Sequence, residues 1–158
     1  MGKIFRFHKD VDTDQIIASQ YLLYPTIEEM KAHTFESLDP DFAANVCPGD
    51  FVVADENFGC GSSREQAPGV LKALGVQAVI AKSFARIFYR NAINIGLPII
   101  ECPQAACAIA AGDEVEVDFD TGVITDKTTG ETFQGQAFPP FMQKIIACEG
   151  LVNYINQK

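Results

Sequence analysis

Short apolar runs alternate with helix-like segments through the middle of the chain, and that alternation narrows the fold more than any other feature. Residues 51–54 read Phe-Val-Val-Ala, and residues 76–81 and 97–101 are nearly as apolar. Runs of this length without regular polar alternation predict buried strands. A helix follows each run. The first ends at Leu74 before Gly75. The second covers residues 83–95, with Phe84, Ile87 and Phe88 on one face and Gly96 as its stop. The third is an Ala-rich helix over residues 104–111, ended by Gly112. Residues 114–119 then alternate strictly, and Asp120-Thr121-Gly122 and Thr129-Gly130 turn the chain into a small antiparallel meander.

Upstream, residues 3–7 predict a short strand and Asp12-Thr13-Asp14 a turn or helix cap. Residues 16–24 read as a loop ending at Pro25. Thr26 caps a short helix over residues 27–33, with Glu28 and Glu29 in its first turn. Asp39 opens another over residues 40–45, with Pro40 at the first position. The start of the helix before Gly75 is contested. Ser62-x-x-Glu65 and Ser63-x-x-Gln66 both fit a capping box, yet Pro68 suits a helix interior badly. A regular helix from about Pro68, after a short turn, is the expectation. Pro139 starts a C-terminal helix carrying Phe141, Ile145 and Ile146, with Leu151, Tyr154 and Ile155 beyond Gly150. The fold class is α/β, with α+β the neighbouring reading, in a single domain spanning residues 1–158.

Composition removes several function classes. The 158 residues are 47% apolar, enough for a core. A net charge of −9 argues against nucleic acid and against anionic lipid. No apolar run approaches the roughly 20 residues that span a bilayer, and residues 1–6 carry no signal-peptide core. Five cysteines, an odd number with no C-x-x-C pair, point to a cytoplasmic protein without a disulfide framework. They are a poor donor set for zinc or an iron–sulfur cluster, so no metal site is expected in this chain.

The chemistry concentrates between the first apolar run and its helix. Glu56-Asn57-Phe58-Gly59-Cys60-Gly61-Ser62-Ser63-Arg64-Glu65-Gln66-Ala67 sets two glycines, two serines and an arginine within six residues. A glycine turn leading into a helix exposes backbone N–H groups and the positive end of the helix dipole. The sequence is neither a Walker loop nor a dinucleotide fingerprint. The bland reading is a glycine turn with serine caps; Arg64 favours an anion cradle, since a guanidinium matches a carboxylate bidentately. A Ser-His-Asp hydrolase is a poor reading, because the only histidines are His8 and His33. Asp10-Val11-Asp12-Thr13-Asp14 mimics the start of an EF-hand, but Gln15 and Tyr21 replace the needed Gly and Glu, so a capped turn is preferred. Cys60 reads as a small packing residue rather than a reactive thiol, and Lys82, Arg86 and Arg90 as a solvated helix face.

Three motifs together resemble a known family. Asp12-Thr13-Asp14-Gln15-Ile16-Ile17, then Asn57 to Glu65, then Ala81-Lys82-Ser83-Phe84-Ala85-Arg86-Ile87-Phe88 are similar to the small subunit of 3-isopropylmalate dehydratase, the swivel domain of the aconitase superfamily. The resemblance covers about residues 1–155. It implies a compact swivelling β/β/α domain and a hydro-lyase active only with a separate large subunit that carries a [4Fe-4S] cluster. It implies isomerisation of 2- and 3-isopropylmalate by dehydration and rehydration, in leucine biosynthesis. It assigns Ser62 as catalytic base, and Ser63 and Arg64 as the grip on a carboxylate of a small di-acid substrate. It places substrate specificity at Tyr21, Leu22, Leu23 and Tyr24. Relatives that act on tricarboxylates place an arginine there to pair the extra carboxylate; a leucine cannot do so but favours an isopropyl or methyl group. The expected order is 3-isopropylmalate, then 2-methylmalate or 2,3-dimethylmalate, then homoaconitate or citrate. The rival class is a non-catalytic anion-binding module on the same fold.

Overall fold

The computed structural model describes residues 2–61, 64–118 and 121–135. Four parallel strands, β1 (Gly2–Arg6), β2 (Phe51–Ala54), β3 (Ala78–Ala81) and β4 (Ile99–Glu101), lie in the order β4-β3-β2-β1. The sheet continues antiparallel on the other side of β1 through β5 (Glu114–Asp118), β6 (Val123–Asp126) and β7 (Thr132–Gln134). This is the α/β class with its terminal meander, in one seven-stranded sheet.

Period-two alternation divides the parallel strands between two cores. Val52, Ala54, Val79, Ala81 and Ile99 face one of them. Against these lie α1 (Thr13–Ile16), α2 (Ile27–Met30), α3 (Phe42–Asn45), α4 (Gln66–Ala73) and α5 (Arg86–Ile95). Phe51, Val53, Ala78, Ile80 and Ile100 face the other, under α6 (Pro103–Ala108) and the meander. Strands buried on both faces need no polar alternation, which is why these runs are apolar throughout.

Several boundaries differ from the sequence expectation for local reasons. Residues 19–23 are not an open loop but a 3-10 turn, Ser19–Leu23. The helix expected over 27–33 divides into α2 and a 3-10 turn, Lys31–His33, with Thr26 as its cap. The helix expected from Pro40 begins at Phe42. Helix α4 starts at Gln66 rather than Pro68, with Glu65 as N-cap and no side-chain capping bond. Pro68 is then the third helical residue, where the first turn leaves N–H groups without intrahelical partners, so its missing N–H costs nothing. Helix α5 begins at Arg86 rather than Ser83, because Ser83 and Ala85 bond to the glycine loop instead. Ile87 does not join the buried face; it is 48% exposed, while Phe88 is buried. Gly96 ends α5 in the left-handed conformation, φ 84°. Among the described residues no helix is long and apolar enough to cross a membrane. The expected helix after Pro139 lies outside the described residues.

Candidate active site

The three sequence motifs, far apart along the chain, meet at the carboxyl ends of β1, β2 and β3. Val11 C=O accepts from Gly59 N–H at 2.7 Å, and Cys60 C=O accepts from Thr13 N–H at 2.9 Å. A parallel bridge thus joins Asp12 to Cys60. On the far side of the loop, Asn57 N–H donates to Ser83 Oγ at 2.8 Å and Phe58 N–H to Ser83 C=O at 3.1 Å. Phe58 C=O accepts from Ala85 N–H at 2.9 Å. The glycine turn is therefore a strand-like segment bonded on one side to the first motif and on the other to the third.

Asp12 caps α1: its Oδ1 accepts from Gln15 N–H at 2.9 Å, and Gln15 Oε1 accepts from Asp12 N–H at 3.1 Å. Asp10 Oδ1 accepts from Asn57 Nδ2 at 3.1 Å. The acidic run thus works as a capped turn and a loop tie, as its spacing favoured. Burial first, and the Asp12 and Asp10 carboxylates next, push the Cys60 thiol up, the opposite of an activated cysteine. Lys82 pairs with Asp55 at 3.6 Å and Glu56 at 3.5 Å, and Arg86 and Arg90 are exposed.

Ser62 and Ser63 lie outside the described residues; Arg64 is described and largely buried. Its Nη1 donates to Asp14 Oδ1 and to Ile17 C=O, each at 3.1 Å. Asp14 also accepts from Ser19 N–H at 3.1 Å. Arg64, then the Ser19 amide, hold the Asp14 carboxyl below the usual aspartate range. Sequence reasoning placed Asp14 in a cap; its role as the partner that orients Arg64 is a tertiary fact. Both described hydrogen bonds of the Arg64 side chain run through Nη1, so its other edge, Nη2 and Nε, is geometrically distinct from the anchored one.

The Tyr21–Tyr24 segment sits one turn beyond Ile17. Leu22 is half-buried against the core, whereas Leu23 is 88% exposed. Tyr21 stacks on His33, ring centroids 3.8 Å apart and 6° from parallel, and its hydroxyl donates to Glu36 Oε1. His33 Nδ1 bonds Glu36 Oε2 at 2.6 Å. Sequence reading gave His33 and Glu36 no part in the site. The only signal was their nearness to each other in the chain, which shows nothing of the stack on Tyr21.

In sequence and overall fold the chain is similar to known proteins. The aconitase C-terminal domain family matches residues 28–105. The 2,3-dimethylmalate dehydratase small subunit of Eubacterium barkeri is 64% identical over 155 residues, covering 98% of this chain and 95% of the relative. The 3-isopropylmalate dehydratase small subunit of Clostridium beijerinckii is 56% identical, covering 99% of this chain and 98% of the relative. The crystal structure of a 3-isopropylmalate dehydratase chain from Methanocaldococcus jannaschii superposes with a TM-score of 0.93 at 45% identity, covering 99% of this chain and 92% of that one.

Proposed function

This chain belongs to the small-subunit family of the 3-isopropylmalate dehydratases, within the aconitase superfamily, and from that premise we propose how it works. With a large subunit it forms a hydro-lyase that interconverts 2-isopropylmalate and 3-isopropylmalate by dehydration and rehydration, a step of leucine biosynthesis in the cytoplasm. The observation that carries this reading is the meeting of three motifs at one glycine loop. That meeting brings Arg64 and the Tyr21–Tyr24 segment onto neighbouring carbonyls of one short stretch.

Ser62 removes the proton from the carbon beside a substrate carboxylate. Its alkoxide is stabilised by the charge of Arg64, two residues along the chain, and by the positive end of α4, whose N-cap Glu65 makes no side-chain capping bond. Ser63 and Arg64 grip that carboxylate, Arg64 through the edge away from Asp14. Leu23 faces the alkyl substituent. Among the described residues no group of three or more His, Cys, Asp or Glu side chains is placed to hold a metal. Membership of this family assigns the [4Fe-4S] cluster to the large subunit, where it would serve as a Lewis acid for the departing hydroxyl.

A second reading, 2,3-dimethylmalate as substrate, is favoured by the 64% identity to the subunit from Eubacterium barkeri. One screen tests both. The complex reconstituted with its large subunit is assayed on isopropylmalate, methylmalate, dimethylmalate and homocitrate. Isopropylmalate is expected to show the highest kcat/KM; dimethylmalate in first place would transfer the assignment to the second reading. In the same complex Ser62→Ala is expected to abolish turnover with assembly intact, and Leu23→Arg to raise relative turnover of tricarboxylates. Wild-type turnover by Ser62→Ala would refute the base, and an unchanged substrate ratio would refute the role of Leu23.

A further inference from the structure

The segment proposed to read the substrate is held by a clasp that none of the three motifs contains. Glu36 uses both carboxylate oxygens: Oε1 accepts from the Tyr21 hydroxyl and Oε2 bonds His33 Nδ1 at 2.6 Å. Tyr21 and His33 are thereby fixed as parallel plates, 3.8 Å between centroids. A Tyr-His stack with a shared carboxylate removes most of the freedom an isolated surface tyrosine would have.

The clasp is anchored in turn. Phe35, between His33 and Glu36, is fully buried and stacks on Phe7 with centroids 4.1 Å apart. It adopts φ 57°, an uncommon backbone conformation for an aromatic residue. Its N–H donates to Ile16 C=O at 2.8 Å, and the next carbonyl, Ile17, accepts from Arg64 at 3.1 Å. Adjacent peptides thus hold the clasp and the arginine of the glycine loop. A shift of Tyr21 would move Leu22 and Leu23 relative to Arg64, and so move the substituent subsite relative to the carboxylate subsite.

We infer that His33 and Glu36 are positioning residues for substrate selection, setting the distance between the alkyl-binding leucines and the carboxylate-binding arginine. They act through Tyr21, not on the reacting atoms. This rests on the reading of Tyr21–Tyr24 as the substituent subsite. The clasp predicts a binding effect that depends on substituent size, because a large branched group uses more of the leucine surface than a methyl group does.

The test uses the reconstituted complex and measures kcat and KM for isopropylmalate and methylmalate. Glu36→Ala is expected to raise KM for isopropylmalate roughly three- to ten-fold, the scale of one or two lost hydrogen bonds. It should leave kcat within about two-fold and change methylmalate less, so selectivity falls. Glu36→Gln should restore selectivity, because its oxygen still accepts from Tyr21 and its amide donates to Nδ1 of His33 once the ring proton sits on Nε2. Equal loss of kcat on both substrates, or an unchanged KM ratio in Glu36→Ala, overturns the proposal. Tyr21→Phe, which removes a single hydroxyl, decides the case should Glu36→Ala fail to fold. Leu23→Arg runs alongside: if it shifts the substrate ratio and Glu36→Ala does not, the clasp alone is refuted. If neither shifts it, the subsite reading falls as well.

Discussion

At Gly59 the backbone passes so close to α5 that no side chain fits. A Cβ there would stand 2.2 Å from Phe88 Cγ, and φ is 83°. Phe88 is itself buried and packed edge-on to Phe58 with centroids 5.1 Å apart, so it has nowhere to yield. Gly59→Ala should therefore carry both a backbone cost and an overpacking cost, about 2–5 kcal/mol together, with turnover lost alongside. Gly112→Ala is the control: φ is 86°, but nothing lies within 4 Å of its added Cβ. Urea unfolding of the two variants should show Gly59→Ala as the clearly worse one; equal losses would mean the approach to Phe88 does not matter. The requirement for glycine was legible from the strand–glycine–helix pattern. The identity of the obstructing ring was not, since Phe88 reaches the loop only after α5 folds back. The same limit applies to Arg64. Its chemistry was readable from its type and neighbours, while its anchorage by Asp14 and Ile17 depends on the fold.

Among the elements, the hairpin joining β6 to β7 carries a buried charge conflict. Asp126 is 1% exposed, and its Oδ1 accepts from Thr128 N–H at 3.0 Å and Thr129 N–H at 3.3 Å. Burial first, then a hydrogen bond with the neighbouring Asp113 carboxyl, raises its pKa above the ordinary aspartate value. A carboxyl whose folded pKa is raised stabilises the fold below the unfolded pKa, and that contribution disappears as pH rises through the folded value. Above that folded value the ionised Asp126 is thus a liability. Asp126→Asn keeps the accepting oxygen and adds a donor toward Asp113. It should raise stability at pH 7 by roughly 0.5–2 kcal/mol, with the gain shrinking as pH falls toward 4. Urea midpoints at the two pH values check this, and a less stable variant at pH 7 would refute it. The meander itself was legible, because strict alternation and Thr-Gly turns are local signals. The apposition of Asp113 and Asp126 was not, since it depends on how the β6–β7 turn returns to the start of β5. Element ends blurred for similar reasons: the sequence favoured Ser83 as a helix start, but the glycine loop uses its hydroxyl and carbonyl.

For the whole molecule, β1 is the strand on which the two halves of the sheet depend. It pairs parallel with β2 and antiparallel with β5, so it joins the half that builds the site to the meander. Apolar runs and alternation identify strands, but the partners of β1 are remote in sequence, and no local signal assigns them. Arg6 at its end shows what this central place permits. Its Nη2 donates to Asp55 Oδ1 at 2.9 Å, and its Nη1 donates to Ala106 C=O and, at 3.0 Å, to Ile109 C=O. One guanidinium thus closes the carboxyl end of α6 and ties it to the strand end that enters the glycine loop. Arg6→Leu would leave Asp55 with Lys82 as a partner, so the larger loss is at the two carbonyls. The expected cost is about 2 kcal/mol, read from urea unfolding. Arg6→Lys should recover only part of it, because a single ammonium cannot span three acceptors as a planar fork does. Wild-type stability in Arg6→Leu would mean that α6 is held by its apolar face alone.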